Sequence, residues 1–88
     1  MKVVWQPQAQ ALLFEVFDYI ERRNPQSAYD LLAKTVHIVE QLLPENPGMG
    51  RGIGGGLREL VVHSNYIVTY RVTDTEIQIP AIRHGTRR

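Results

Sequence analysis

Six arginines and no lysine follow Gly48: Arg51, Arg58, Arg71, Arg83, Arg87 and Arg88, against Glu59, Asp74 and Glu76 alone. The guanidinium is the cation suited to planar, two-point contacts with carboxylate or phosphate. This half of the chain therefore points to an acidic partner surface or a nucleic acid. His84 lies among the last arginines, and a neutral imidazole there can accept a proton. Arg58, Arg71, Arg83 and His84 thus combine cations with a proton acceptor. The same four with Arg87 and Arg88 form the candidate set for holding a target or partner. A plain ion pair competes with each such role, and Glu15 or Asp18 is the expected mate of Arg58 in that case.

Other chemistry is excluded more firmly. The chain has no cysteine, which removes disulfides, thiol catalysis and cysteine-based metal sites. His37 falls on a helix and His63 in a turn, and neither shares a spacing with His84 that defines a metal site. No metal and no cofactor are expected. The segment from Pro44 to Gly56, PENPGMGRGIGGG, holds six glycines and two prolines. It lacks a Gly-Lys-Ser/Thr ending and leads from a helix into a strand, the reverse of a phosphate-binding loop. It reads as a long mobile connection without regular structure.

The elements that must position these residues follow from pattern. Eighty-eight residues, 43% apolar and 22% charged, suit one globular domain spanning 1–88. Nothing resembles a membrane span or a signal peptide, so a cytoplasmic location and no membrane partner are expected. Up to Pro47 the balance is acidic, with Lys2, Arg22, Arg23 and Lys34 facing Glu15, Asp18, Glu21, Asp30, Glu40 and Glu45. Lys2 to Trp5 is β-prone. Pro7 then opens a helix whose Ala9, Leu13, Val16, Phe17 and Ile20 recur every three or four positions. Asn24-Pro25 is a cap followed by a first-turn proline, and it starts a second helix that runs to Pro44. Its stripe is Ala28, Leu31, Leu32, Thr35, Val36, Val39, Leu42 and Leu43. So short a junction folds the helices into an antiparallel hairpin.

Three strands follow, Leu57 to Val62, Tyr66 to Val72 and Thr75 to Ile82, as an antiparallel meander. Tyr66, Val68, Tyr70 and Val72 share one face of the middle strand, and Ile67, Thr69 and Arg71 the other. Ile77, Ile79 and Ala81 share a face in the last. Pro80 cannot donate to a ladder, so that stretch lies at an edge or is irregular. The tail after Ile82 is too polar to pack.

The landmarks NPQSA (Asn24 to Ala28), the Gly/Pro loop after Leu43, GLRELVVHSNYIVTYRV (Gly56 to Val72) and the ending IPAIRHGTRR occur in an order that spans almost the whole chain. In this the sequence resembles the RelE/ParE superfamily of toxins from type II toxin-antitoxin systems, especially the ParE branch, or plasmid stabilisation proteins. The resemblance implies an α+β fold, with a short N-terminal strand and a helix hairpin packed on a small antiparallel sheet. It also implies a cognate antitoxin, ParD-like or related, whose C-terminal segment wraps the toxin, and contact with operator DNA only through that antitoxin. ParE-like members poison DNA gyrase, whereas RelE-like members cut messenger RNA in the ribosomal A site. RNA-cutting relatives place an arginine directly after the middle-strand tyrosine, as in YRLVY, and many add a C-terminal histidine or tyrosine. Cutting RNA through its own 2′-hydroxyl needs a group to take that proton, cations for the extra phosphate charge and an acid for the leaving oxygen. Here YIVTY puts Ile67 at the position of that arginine and Gly85 follows His84, which leaves Arg58, Arg71, Arg83 and His84 as the set the resemblance offers for cleavage. The resemblance thus favours a gyrase-directed binding toxin over a ribosome-dependent endonuclease. An inactive homologue acting only as an antitoxin-bound co-repressor is the third possibility.

Overall fold

A computed structural model describes residues 1–63 and 65–85. The short strand β1 (Lys2–Trp5) leads into α1 (Pro7–Glu21), and α2 (Pro25–Val36) folds back along it. Each helix has proline in its first turn, where a missing N–H costs nothing. Asn24 caps α2 as expected, its Oδ1 accepting the Ser27 N–H at 3.2 Å. None of the described helices is long and apolar enough to cross a membrane.

The second helix does not stay α-helical to its end. Residues His37–Leu42 form a π-helical turn in which the Leu43 N–H donates to the Ile38 carbonyl at 2.9 Å. The reason lies in the stripe that is buried: Ala28, Leu31, Thr35, Val39 and Leu43. At 3.6 residues per turn a step of four overshoots a full turn by roughly 40°, so three such steps in succession would rotate Leu43 about 120° off the sheet. A turn with an extra residue takes that rotation back. Val36 and Leu42, counted in the stripe from sequence, stand exposed. Pro44 ends the ladder by its missing N–H, although Leu43 keeps helical angles (φ −61°, ψ −42°) and is not extended.

The expected mobile connection holds structure of its own. Pro47–Met49 makes a 3₁₀ turn, and Arg51–Gly54 is a strand, β2, paired antiparallel with β3 (Leu57–His63). Gly55 and Gly56 take φ of 63° and 78°, the positive values that a two-residue hairpin turn demands and glycine supplies without strain. His63 therefore ends a strand and does not sit in the turn. The sheet continues through β4 (Tyr66–Val72) and β5 (Glu76–His84). Its order is β1-β5-β4-β3-β2, with β1 parallel to β5 and the other pairs antiparallel. The predicted three-stranded antiparallel meander is thus four antiparallel strands plus one parallel strand at the edge.

Pro80 marks an irregularity in an inner strand. The β4–β5 register shifts between Thr69 and Arg71, which face Ala81 and Gln78. This bulge leaves Pro80 outside the ladder, and it exchanges the faces of the residues beyond it. Ile82 joins the core beside Ile77 and Ile79, while Ala81, expected there, turns to the other side. Both helices pack on the face that carries Val62, Val68, Tyr70, Ile77, Ile79 and Ile82. Trp5 closes this core from β1, and its indole N–H donates to Glu40 Oε2 at 2.8 Å.

Candidate functional site

Neighbouring strands put the candidate residues on two faces. Arg58 lies opposite Tyr70, and His84 opposite Tyr66, so both belong to the helix-bearing face. Arg71 lies opposite Leu57 and Arg83 opposite Ile67, on the face that no described helix covers. Within each face the two residues are offset by four positions along β4, about 13 Å at the usual rise. Arg58, Arg71, Arg83 and His84 therefore do not converge on one point. Arg87 and Arg88, the remaining members of the expected set, lie outside the described residues.

Arg58 has a structural partner different from the helix acids expected for it. Its Nη1 donates to the Gly50 carbonyl at 2.8 Å and reaches the Gly48 carbonyl at 3.5 Å. Tyr70, its cross-strand neighbour, reinforces the same loop. The fully buried phenol accepts the Gly50 N–H at 2.8 Å and donates to the Pro47 carbonyl at 2.7 Å. Adjacent strands thus grip the chain between Pro47 and Gly50 and fix the entry of β2. From the sequence Tyr70 is only one of the residues that share a face of the middle strand. Its signal was there: a phenol fully buried in a sheet needs a hydrogen-bond partner, and the nearest unpaired backbone is a glycine- and proline-rich loop.

On the uncovered face Glu59 is the organising group. Its Oε2 accepts Arg83 Nη2 at 2.7 Å and its Oε1 accepts Arg51 Nη2 at 3.3 Å. The carboxylate is largely covered, with 12% of its side chain exposed, against 46% for Arg83 and 80% for Arg51. The Arg83 hydrogen bond holds the Glu59 carboxyl below its usual range; burial opposes this, and Arg51 adds to it. Arg71 Nη1 donates to the Gly55 carbonyl at 2.9 Å and so braces the β2–β3 turn. Arg58 and Glu59, consecutive in one strand, point to opposite faces and cannot pair with each other, but that alternation does not reveal that Glu59 joins β2 to β5. His84 packs edge-on to Tyr66, with ring centroids 4.9 Å apart. No group of three His, Asp or Glu among the described residues could hold a metal ion.

This fold and chain order match known proteins over nearly their full lengths. The family model for the ParE toxin of type II toxin-antitoxin system, parDE, matches residues 3–88. A Caulobacter vibrioides protein named Toxin RelE2 is 37% identical over 86 residues, covering 98% of this chain and 97% of the relative. Among solved structures, the chromosomal ParDE TA system from P. aeruginosa superposes with a TM-score of 0.73 at 27% identity, covering 96% of this chain and 95% of that one. The YoeB dimer from Staphylococcus aureus shares the fold at 20% identity, with a TM-score of 0.56 over 94% of both chains. The chain accordingly belongs to the ParE toxin family of type II toxin-antitoxin systems, within the RelE/ParE superfamily.

Proposed function

We infer that this toxin acts by binding, that its target is DNA gyrase and that a cognate antitoxin neutralises it. The observation carrying the first point is the dispersal of the groups that RNA cleavage would need. Arg58 and His84 lie on one face of the sheet, Arg71 and Arg83 on the other, and Arg58, Arg71 and Arg83 are each engaged by groups of the fold itself. Concerted transfer of a proton and stabilisation of a phosphorane require such groups within hydrogen-bond reach of one substrate atom cluster. Offsets of about 13 Å along a strand are too long for that. Gyrase as target follows the ParE resemblance, and the match to a ParDE system supports an antitoxin partner.

Purified gyrase, relaxed plasmid and a titration of the toxin test this reading. Supercoiling should fall with toxin and recover when the antitoxin is added in slight excess. Supercoiling that is unaffected at saturating toxin would overturn it.

A further inference from the structure

The uncovered face of the sheet carries features that scaffolding does not require. Cross-strand rows can be read from the register: Val61–Ile67–Arg83, then Arg51–Glu59–Thr69–Ala81, then Leu57–Arg71–Gln78. Val61 and Ile67 thus form an aliphatic patch in the end row, with Arg83 beside them, Arg51 one row away and Arg71 two rows away. Val61 is 59% exposed in the middle of a strand, although polar residues usually take such a position. Glu59 ties Arg51 and Arg83 down, which leaves their charge in place but removes much of the rotamer freedom that binding would otherwise freeze.

We propose that this face is the surface by which the toxin holds its protein target, through the Val61–Ile67 patch at one end and the Arg83, Arg51 and Arg71 guanidiniums beside and beyond it. The inference rests on the binding-toxin reading above. The occupant is an acidic protein surface with an apolar patch, because three guanidiniums outnumber the two carboxylates of this face, Glu59 and Glu76, the latter accepting from Gln78. A nucleic acid fits less well. The described face has no aromatic ring on which a base could stack, since Tyr66 and Tyr70 lie on the helix side, and the Glu59 carboxylate sits where phosphates would pass. The five strands, of 4, 4, 7, 7 and 9 residues, span roughly 490 Å² in projection at about 3.3 Å per residue and about 4.8 Å between strands. With side-chain relief this approaches the ~800 Å² per partner of a stable complex.

The test is inhibition of gyrase holoenzyme by Val61→Asp, with Arg71→Glu as a second variant and Gln41→Asp, on the exposed helix side, as control. Val61→Asp should fold with an unchanged circular dichroism spectrum and need at least ten times more toxin for half-inhibition of supercoiling. Arg71→Glu should show a similar loss, which keeps the test valid if Val61→Asp unfolds; Gln41→Asp should inhibit like the natural chain. Folded variants that inhibit as well as the natural chain would overturn this surface while leaving the gyrase reading intact. A natural chain that fails to inhibit would overturn the gyrase reading first, and this inference with it. Micromolar binding of a fluorescein-labelled single-stranded RNA 12-mer, abolished by Val61→Asp, would reassign the face to RNA.

Discussion

Replacing Tyr70 by Phe removes one oxygen atom and should cost this small domain much of its stability. The ring stays in the core, so no cavity of consequence opens. What is lost is the bridge between the Gly50 N–H at 2.8 Å and the Pro47 carbonyl at 2.7 Å. Gly50 is buried, and leaving a buried donor unpaired costs about 1–3 kcal/mol. The half-buried Pro47 carbonyl can recover a bond from water, so its share is at the low end, about 0.5 kcal/mol. A total near 2 kcal/mol corresponds to a fall in Tm of roughly 8–16 °C for a domain of this length. Thermal unfolding followed by near-ultraviolet circular dichroism measures it, with Tyr29→Phe, whose ring is exposed, as the control expected to change little. Hydrogen exchange adds a local readout, because the Gly50 amide should lose protection more than amides in α1. A Tm within about 3 °C of the natural chain would refute the claim that this hydroxyl fastens the loop.

Three further outcomes follow from the same geometry. A Cβ on Gly50 would stand 2.6 Å from the Tyr70 ring and hydroxyl and 2.8 Å from the Glu59 carbonyl, so Gly50→Ala should destabilise by roughly 1–3 kcal/mol, read by urea unfolding. Because the Glu59 pKa is lowered in the folded state, its ion pairs contribute stability above the unfolded carboxylate pKa and lose it as pH falls through the folded value. Glu59→Gln should therefore be most damaging near neutrality and lose its effect in acid, which a series of unfolding curves between pH 2 and 7 would show. His84→Ala should leave gyrase inhibition within about twofold of the natural chain, since the imidazole lies on the helix side of the sheet, across from the uncovered face; a tenfold loss in the supercoiling titration would give that ring a role in the target complex.

Local chemistry in the sequence was enough to locate the helices. Pro7, the Asn24 cap with Pro25, and two apolar stripes give their starts and their packing sides, and the alternation of β4 divides Tyr66, Val68 and Tyr70 from Ile67, Thr69 and Arg71. The π turn is legible only once the four-residue spacing of Leu31, Thr35, Val39 and Leu43 is counted against the helical period. The strand β2 was hidden by its glycines, which carry little strand propensity, although Gly55-Gly56 between Ile53 and Leu57 is itself a hairpin signal. Parallel pairing of β1 with β5 joins residues more than seventy positions apart, and nothing local encodes it. The same holds for Glu59 with Arg83 and for Arg58 with Gly50: residue type announces a cation in need of a partner, while the fold decides which one. Pro80 shows both sides, since its missing donor announced an irregularity and only the register revealed which residue, Ile82, then turned inward.

Whether this toxin binds its target or cuts RNA is the central question. The most direct measurement divides one toxin preparation between a gyrase supercoiling reaction and a translation reaction with purified ribosomes, in which message ends are mapped. Loss of supercoiling with message left whole is the predicted result. Message cut at defined positions, with supercoiling undisturbed, would contradict it and would mean that the dispersed arginines and His84 are gathered by the ribosome.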